Sequence, residues 1–156
     1  NQYGADALRL YLIQSPAVRA EELKFSEAGV KEIIRRVLLK WQNAYSFFVG
    51  YARIDNWEAP EKICLNSQNI LDRWIVSRMQ SLLKLTEDAM ANYQLYRVVP
   101  SLLDFIEELT NTYIRLNRKR FWSVGENNDK TAAYNTLYFV LLNLSKVMAP
   151  FTPFLS

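Results

Sequence analysis

Histidine is absent from this chain of 156 residues, and cysteine occurs only once, as Cys64. Without an imidazole, the chain lacks the side chain most often used as a general base and as a zinc ligand. A single thiol also excludes an internal disulfide, which is typical of a reducing compartment. We therefore expect Cys64 to be an ordinary free thiol, and we predict no catalytic residue and no metal site in this chain.

Glycine is scarce as well, with four residues that form no phosphate-binding loop. Long hydrophobic runs are missing. The most apolar segment, Leu137–Val147, is interrupted by Asn143 and Lys146. It is also too short to cross a bilayer, which requires about 20 apolar residues. No basic stretch followed by an apolar run opens the chain, so we expect no signal peptide. Because Asn1 is not a methionine and Pro153 precedes an expected new helix, both ends are expected to lie inside a longer protein.

What the sequence does contain is enough apolar material for one folded domain. Half of its residues are hydrophobic, which argues against disorder. The formal net charge is +3 and the pI is about 9.0, so the chain is mildly basic. This charge permits an anionic partner without requiring one.

Apolar residues recur at spacings of three and four, and no segment alternates with a period of two, so the sequence predicts an all-α fold. We expect an antiparallel bundle of four amphipathic helices, after a short helix that ends at Ser15-Pro16. Ser26 is the predicted N-cap of the first long helix, and Pro100 is placed in the first turn of the third. The predicted division is a junction segment 1–25 and a bundle 26–156, with a loop at 57–69 and a polar turn at 126–130. The apolar stripes cover Val30–Ala52, Leu71–Tyr93, Leu95–Leu116 and Ala133–Met148.

Acidic residues cluster on the third predicted helix, at Asp104, Glu107 and Glu108. They lie opposite its apolar stripe, and a solvated face is the simplest interpretation. A di-iron site would need Glu-x-x-His pairs, which a chain without histidine cannot supply. We therefore predict no cofactor in this chain.

A basic and aromatic cluster near the end of the third helix is the most informative feature. No acidic residue lies between Leu109 and Gly125, and the spacings place Asn111, Arg115, Arg118 and Trp122 on one helical face. Arginine matches phosphates and base edges, and flat side chains stack on unpaired RNA bases. Cations at a helix C-terminus also favour the helix dipole, so a purely structural role remains open. The predicted RNA-binding residues are Asn111, Arg115, Arg118, Lys119, Arg120 and Trp122. A second basic set comprises Lys31, Arg35, Arg36 and Lys40, for which a solvated face is the simpler interpretation.

Several segments resemble eukaryotic and archaeal-type isoleucyl-tRNA synthetases in their individual residues as well as in their hydrophobic pattern. The stretch YGADALRLYLIQSPAVRAEELKF (Tyr3–Phe25) resembles the piece that follows the KMSKS loop of that family. LLKWQNAYSFF, LDRWIVSRMQSLL, LTNTYIRLNRKRFW and MAPFTPFLS resemble successive parts of its anticodon-binding helical domain. Shorter pieces such as LDRWI recur in the valyl, leucyl and methionyl siblings, which stay as alternatives.

The resemblance implies a role in binding tRNA. The parent enzyme would use ATP and Mg²⁺ to attach isoleucine to its tRNA in the cytoplasm, with catalytic and editing sites outside these residues. This chain would position the isoleucine-accepting tRNA and contact other domains of the same enzyme, without membrane or DNA. Arg9 and Arg19 are weaker tRNA candidates on the stem-contact side, and Arg35 and Arg36 are weaker candidates on the long helix. A helical protein-interaction module without RNA contact is the alternative from another functional class.

Overall fold

The computed structural model describes residues 3–125 and 127–156. Asn1 and Gln2 of the predicted junction segment, and Glu126 of the predicted polar turn, lie outside the described residues. Helices, turns and irregular loops make up the described ranges, which contain no β-strand. The predicted all-α fold is therefore confirmed.

A short helix, α1 (Ala5–Gln14), opens the described chain and leads into a 3₁₀ turn, Pro16–Arg19. The Ser15 hydroxyl caps this turn by accepting a hydrogen bond from the backbone N–H of Ala17 at 3.3 Å. Helix α1 packs against the bundle, and its Ala7 and Leu10 are fully buried in the common core. The division between residues 25 and 26 stays a prediction.

The first long helix consists of α2 (Glu27–Ile33), a π-helical stretch (Ile34–Leu38) and α3 (Leu39–Ile54). Its N-terminus is capped as predicted, because the Ser26 hydroxyl accepts the N–H of Gly29 at 3.3 Å. The helix buries one stripe of apolar side chains against the other helices. Those side chains are Val30, Ile33, Val37, Trp41, Ala44, Phe48 and Ala52.

Two hydrogen bonds close the C-terminus of α3 in a Schellman turn. The Trp57 N–H donates to the Ala52 carbonyl at 2.8 Å, and the Asn56 N–H donates to the Arg53 carbonyl at 3.3 Å. Asn56 takes the left-handed conformation that this turn needs, with φ of 50°. The turn fixes the position of Trp57 at the start of the loop before α4.

Helix α4 (Ile70–Ala91) and helix α5 (Leu95–Glu107) pack side by side and antiparallel. The Asn69 side chain caps α4 by accepting the Leu71 N–H at 2.9 Å. Pro100 is the sixth residue of α5, so its predicted place in the first turn is wrong. Its ring is exposed, so the surrounding core does not have to accommodate it.

Tyr93, in the turn between α4 and α5, has a left-handed φ of 57° and is 89% exposed. A Cβ atom is unfavourable in that conformation. Replacing Tyr93 by glycine is therefore expected to raise the free energy of unfolding by about 0.5–1 kcal/mol. Urea unfolding followed by circular dichroism measures this change. Tyr93→Ala is the control, because it removes the same ring and keeps the Cβ atom; equal stabilisation by both variants would contradict the argument.

A second π-helical stretch, Glu108–Ile114, joins α5 to α6 (Arg115–Trp122). A π-turn holds about one residue more than an α-turn, so it shifts which later residues face the core. The sequence predicts a buried Leu116, but this side chain is 60% exposed, whereas Asn117 and Phe121 are buried. The wider turn thus rotates α6 relative to the expected stripe.

The last helix, α7 (Asn128–Met148), lies against α3, α4 and α6. Asn127 caps it by accepting the Lys130 N–H at 2.7 Å. Its Leu137, Val140 and Leu144 are completely buried and contribute to the centre of the core. Of the helices that the structure describes, none combines the length and apolar character that a membrane span requires.

Candidate nucleic-acid interface

Five of the six predicted RNA-binding residues are exposed on the last part of the third long helix. We call this set the α6 ridge; it comprises Asn111, Arg115, Arg118, Lys119 and Trp122. The Trp122 side chain is 54% exposed, an unusual position for so large an apolar group. Among the described residues, no carboxylate forms an ion pair with the three cations of the ridge. The ridge therefore presents positive charge next to an accessible aromatic face.

Arg120 does not belong to the ridge, although the sequence placed it with the RNA-binding residues. Its guanidinium forms a paired contact with Asp72, at 2.7 and 2.8 Å, and a second pair with Asp129, at 2.7 and 2.9 Å. Only 11% of its side chain is exposed. The guanidinium donors that would meet a phosphate already have partners inside the protein, so Arg120 is less suited to contact RNA than the cations of the ridge.

Asp72 is the centre of this internal network. Its carboxylate is 1% exposed and also accepts hydrogen bonds from the Tyr113 hydroxyl at 2.7 Å and from Ser67. Burial by itself raises the pKa of Asp72, but the hydrogen bonds from Arg120, Ser67 and Tyr113 outweigh it and lower the pKa below its ordinary value. Burial next to Asp72 raises the pKa of Tyr113 well above the usual range, so this hydroxyl stays protonated and donates.

The network connects four parts of the fold. Asp72 lies in the first turn of α4, Tyr113 in the π-helical stretch, Arg120 in α6 and Asp129 in the first turn of α7. Asn117 adds to it by accepting a hydrogen bond from Arg120 at 3.0 Å. These bonds fix the rotation of α6 about its axis, and with it the direction in which the ridge faces.

The weaker candidates have partners within the protein. Arg9 donates to the backbone carbonyls of Pro150 and Phe151, at 2.9 and 3.3 Å, and so attaches α1 to the C-terminal turn. Arg19 pairs with Glu21 at 3.0 Å and lies 5.5 Å from the centre of the Tyr96 ring. Neither residue is part of the α6 ridge.

The cations on the first long helix are also paired. Arg35 contacts Glu32 at 2.8 Å, and Arg36 contacts Glu107 at 3.2 Å. Lys40 reaches the same oxygen of Glu107 at 3.2 Å. The hydrogen bond from Lys40 lowers the pKa of Glu107. Partial burial acts in the opposite direction, and the hydrogen bond from Arg36 adds to the lowering. Arg36 and Lys40 therefore join the first long helix to α5, whereas Arg35 pairs within its own helix.

The acidic cluster on the third helix, which the sequence predicts to be a solvated face, is only partly exposed at two of its three members. Glu107 bridges to the first long helix, and Glu108 pairs with Arg78 of α4 at 2.8 Å. Asp104 is exposed, as expected. The sequence could not indicate these pairs, because their partners lie 30 to 71 residues away.

A cavity beyond the C-terminal end of α6 was not predicted. It has a volume of about 480 Å³ and lies between the residues that follow α3 and the first turns of α7. Trp57, whose partner the sequence did not reveal, forms part of its wall and stacks on Tyr134, with ring centres 5.6 Å apart. Asn56, Lys130, Asn135 and Gly125 also line it. The cue in the sequence is an aromatic residue directly after Asp55-Asn56, residue types that often end a helix.

In the part of the chain that the structure describes, no three residues of the His, Cys, Asp and Glu types come close enough to hold a metal ion. Cys64 is exposed and unbridged.

Comparison with protein families gives a match over more than half of the chain. Residues 72–156, which include all but the first two residues of α4, the helices α5 to α7 and the whole α6 ridge, match the family described as the anticodon-binding domain of tRNA ligase. The match thus covers both the ridge and the Asp72–Arg120 network.

Whole-chain comparison finds several similar proteins. The isoleucine–tRNA ligase of Bdellovibrio bacteriovorus is 57% identical over 156 residues, all of this chain and 15% of that enzyme. The cytoplasmic isoleucine–tRNA ligase of Saccharomyces cerevisiae is 48% identical, again over all of this chain and 15% of the enzyme. The cytoplasmic enzyme of Mus musculus is 49% identical over all of this chain and 13% of its own length. The chain therefore spans about one seventh of these relatives.

Proposed function

We propose that this chain, which belongs to the family of anticodon-binding domains of tRNA ligases, holds the anticodon loop of a tRNA on its α6 ridge. The observation that supports this most directly is the arrangement of Arg115, Arg118 and Lys119 beside the exposed ring of Trp122. Arginine and lysine bind phosphates, whereas an aromatic face stacks on unpaired bases. An anticodon loop offers both kinds of partner.

We infer further that the tRNA accepts isoleucine. The support is 46–57% identity to isoleucine–tRNA ligases over almost the whole chain. In this proposal the parent protein is cytoplasmic, and a part of it outside this chain carries out the ATP- and Mg²⁺-dependent ligation. This chain contributes binding and alignment, which lower the entropic cost of bringing the acceptor end to a distant catalytic centre.

Other domains of the same ligase are the second proposed partner. Leu39, Tyr45 and Phe154 are 47%, 58% and 81% exposed and line two hollows along α3 and the C-terminal turn, and no residue of the α6 ridge lines either hollow. Contact with the remainder of the parent protein would remove this apolar surface from water. This part of the proposal leaves the ridge free for RNA.

A direct binding experiment tests the proposed RNA contact. A labelled hairpin with the anticodon stem and loop of an isoleucine tRNA is titrated with the chain and followed by fluorescence anisotropy. We expect binding that weakens as salt increases, because phosphate contacts release counterions. A fully paired duplex of equal length should bind less well, since it offers no unstacked bases. Equal affinity for hairpin and duplex, or affinity unaffected by salt, would contradict the proposal.

A further inference from the structure

The cavity next to the α6 ridge has the shape and chemistry of a binding site. Its volume of about 480 Å³ lies within the range of about 300–1,000 Å³ that is usual for small-molecule sites. Side-chain amides are present in its lining, at Asn56 and Asn135. No described residue forms a hydrogen bond with either amide, so both have donors and acceptors available for a ligand.

An aromatic wall stands next to these amides and is held in place before any ligand arrives. Trp57 stacks on Tyr134 with an angle of 22° between the rings. The Phe48 ring meets it edge-on at 5.5 Å, and the Schellman turn at the end of α3 fixes its backbone. Trp57 is only half buried, so it keeps accessible surface at the cavity. A flat ligand can therefore bind against this wall without the entropic cost of ordering its side chains.

The floor of the cavity is charged but internally neutralised. The Lys130 ammonium is 6% exposed and lies 2.7 Å from an Asp55 oxygen and 2.8 Å from the Ser123 carbonyl. Asp55 also accepts a hydrogen bond from the Tyr134 hydroxyl. Burial raises the pKa of Asp55, but the bonds from Lys130 and Tyr134 outweigh it, so the carboxylate stays ionised opposite the ammonium. A site with this floor favours a neutral, flat, polar group over a phosphate.

The cavity and the ridge are adjacent in the chain. Ser123, whose carbonyl binds Lys130, directly follows Trp122, and Gly125 forms part of the cavity lining. The cavity therefore lies at the C-terminal end of the ridge, where a nucleic-acid strand that contacts Arg115 and Arg118 can extend to it. One nucleotide covers several ångströms, so a neighbouring base can reach it.

We propose that this cavity receives one unstacked nucleobase of the RNA loop held by the α6 ridge, with Trp57 beside its face and Asn56 and Asn135 at its edge. The inference rests on the proposed function. A base is a neutral, flat group with donors and acceptors on its edge, which matches the wall, the amides and the neutral floor. Amide side chains can form two hydrogen bonds with a base edge, so the cavity distinguishes one base from another.

The test uses hairpins in which each anticodon position in turn carries the fluorescent base 2-aminopurine. At one position, binding to the unaltered protein is expected to quench the fluorescence, because the base stacks on an aromatic ring. A second hairpin series carries each of the four ordinary bases at that position. We expect a preference for one base on the order of tenfold.

The double variant Asn56→Gly, Asn135→Ala removes both amides; glycine is chosen because residue 56 has a positive φ. It should abolish the preference and leave binding to the ridge largely intact. Asn43→Ala, an exposed amide on the outer side of α3, is the matched control and should keep the preference. Trp57→Leu should abolish the quenching, but it also alters core packing, so the amide variant decides.

The outcomes separate this inference from the proposed function. If the hairpin binds and the ridge variant Arg115→Ala, Arg118→Ala weakens binding, the proposed function stands. If in that case the amide variant keeps the base preference of the unaltered chain, the cavity is not a base site and the inference is overturned. If the unaltered chain binds no hairpin at all, the proposed function fails and the inference fails with it.

Discussion

Replacing Arg120 by methionine is expected to lower the free energy of unfolding by about 3–5 kcal/mol, since it leaves a buried charge without its partner. Asp72 is 1% exposed and would keep only the hydrogen bonds from Tyr113 and Ser67. Methionine retains much of the apolar stem of arginine, so lost charge pairing dominates over lost packing. Urea unfolding monitored by circular dichroism provides the measurement.

Arg118→Met is the matched control for this prediction, because it is the same substitution two residues away on the same helix. Arg118 is exposed and has no described ion-pair partner, so stability should change by less than about 0.5 kcal/mol. Adding Asp72→Asn to Arg120→Met should recover part of the loss, since a neutral amide costs less to bury than an unpaired carboxylate. Similar losses for the Arg120 and Arg118 variants, or no recovery in the double variant, would show that the network is not the source of stability.

The double variant Arg115→Ala, Arg118→Ala is expected to produce the largest loss of RNA binding. Each arginine that meets a base edge should contribute about 1–3 kcal/mol to the binding free energy. Each arginine that meets only phosphate should instead lower the slope of log affinity against log salt by about one unit. Anisotropy titrations of an isoleucine tRNA transcript at two salt concentrations separate these contributions.

Lys84→Ala, Lys146→Ala is the control for net charge. It also removes two exposed cations, one from α4 and one from the C-terminal part of α7, both distant in sequence from the ridge. Its affinity and salt slope should differ from the unaltered chain by much less than those of the ridge variant. If both double variants weaken binding equally, the attraction is a general effect of charge, and the ridge is not the site.

The fold was predictable from sequence because its main determinants are local. Apolar residues at helical spacing predicted the four long helices, and a serine before an acidic first turn predicted the cap at Ser26, which the Gly29 N–H confirms. The end of α3 before Asp55-Asn56 also followed from turn chemistry. The resemblance to isoleucyl-tRNA synthetases, drawn from whole segments, is confirmed by the family match and by the relatives.

The candidate site was less predictable because its details depend on distant residues. Arg118 and Arg120 stand in the same run of cations, and nothing local distinguishes a free guanidinium from one held by Asp72, 48 residues away in sequence. The exposure of Leu116 follows from a π-helical stretch that spacing rules for regular helices do not anticipate. The role of Trp57 depends on Tyr134 across the fold.

The seven-residue stretch Glu108–Ile114 has a consequence for engineering. It sets α5 and α6 at different rotations within one continuous helix, so the direction of each α6 side chain does not follow from regular helical spacing along α5. Grafting Arg115–Trp122 onto an ordinary straight helix would therefore aim its arginines in a different direction. A transplanted version of this surface must therefore include the wide turn that precedes it.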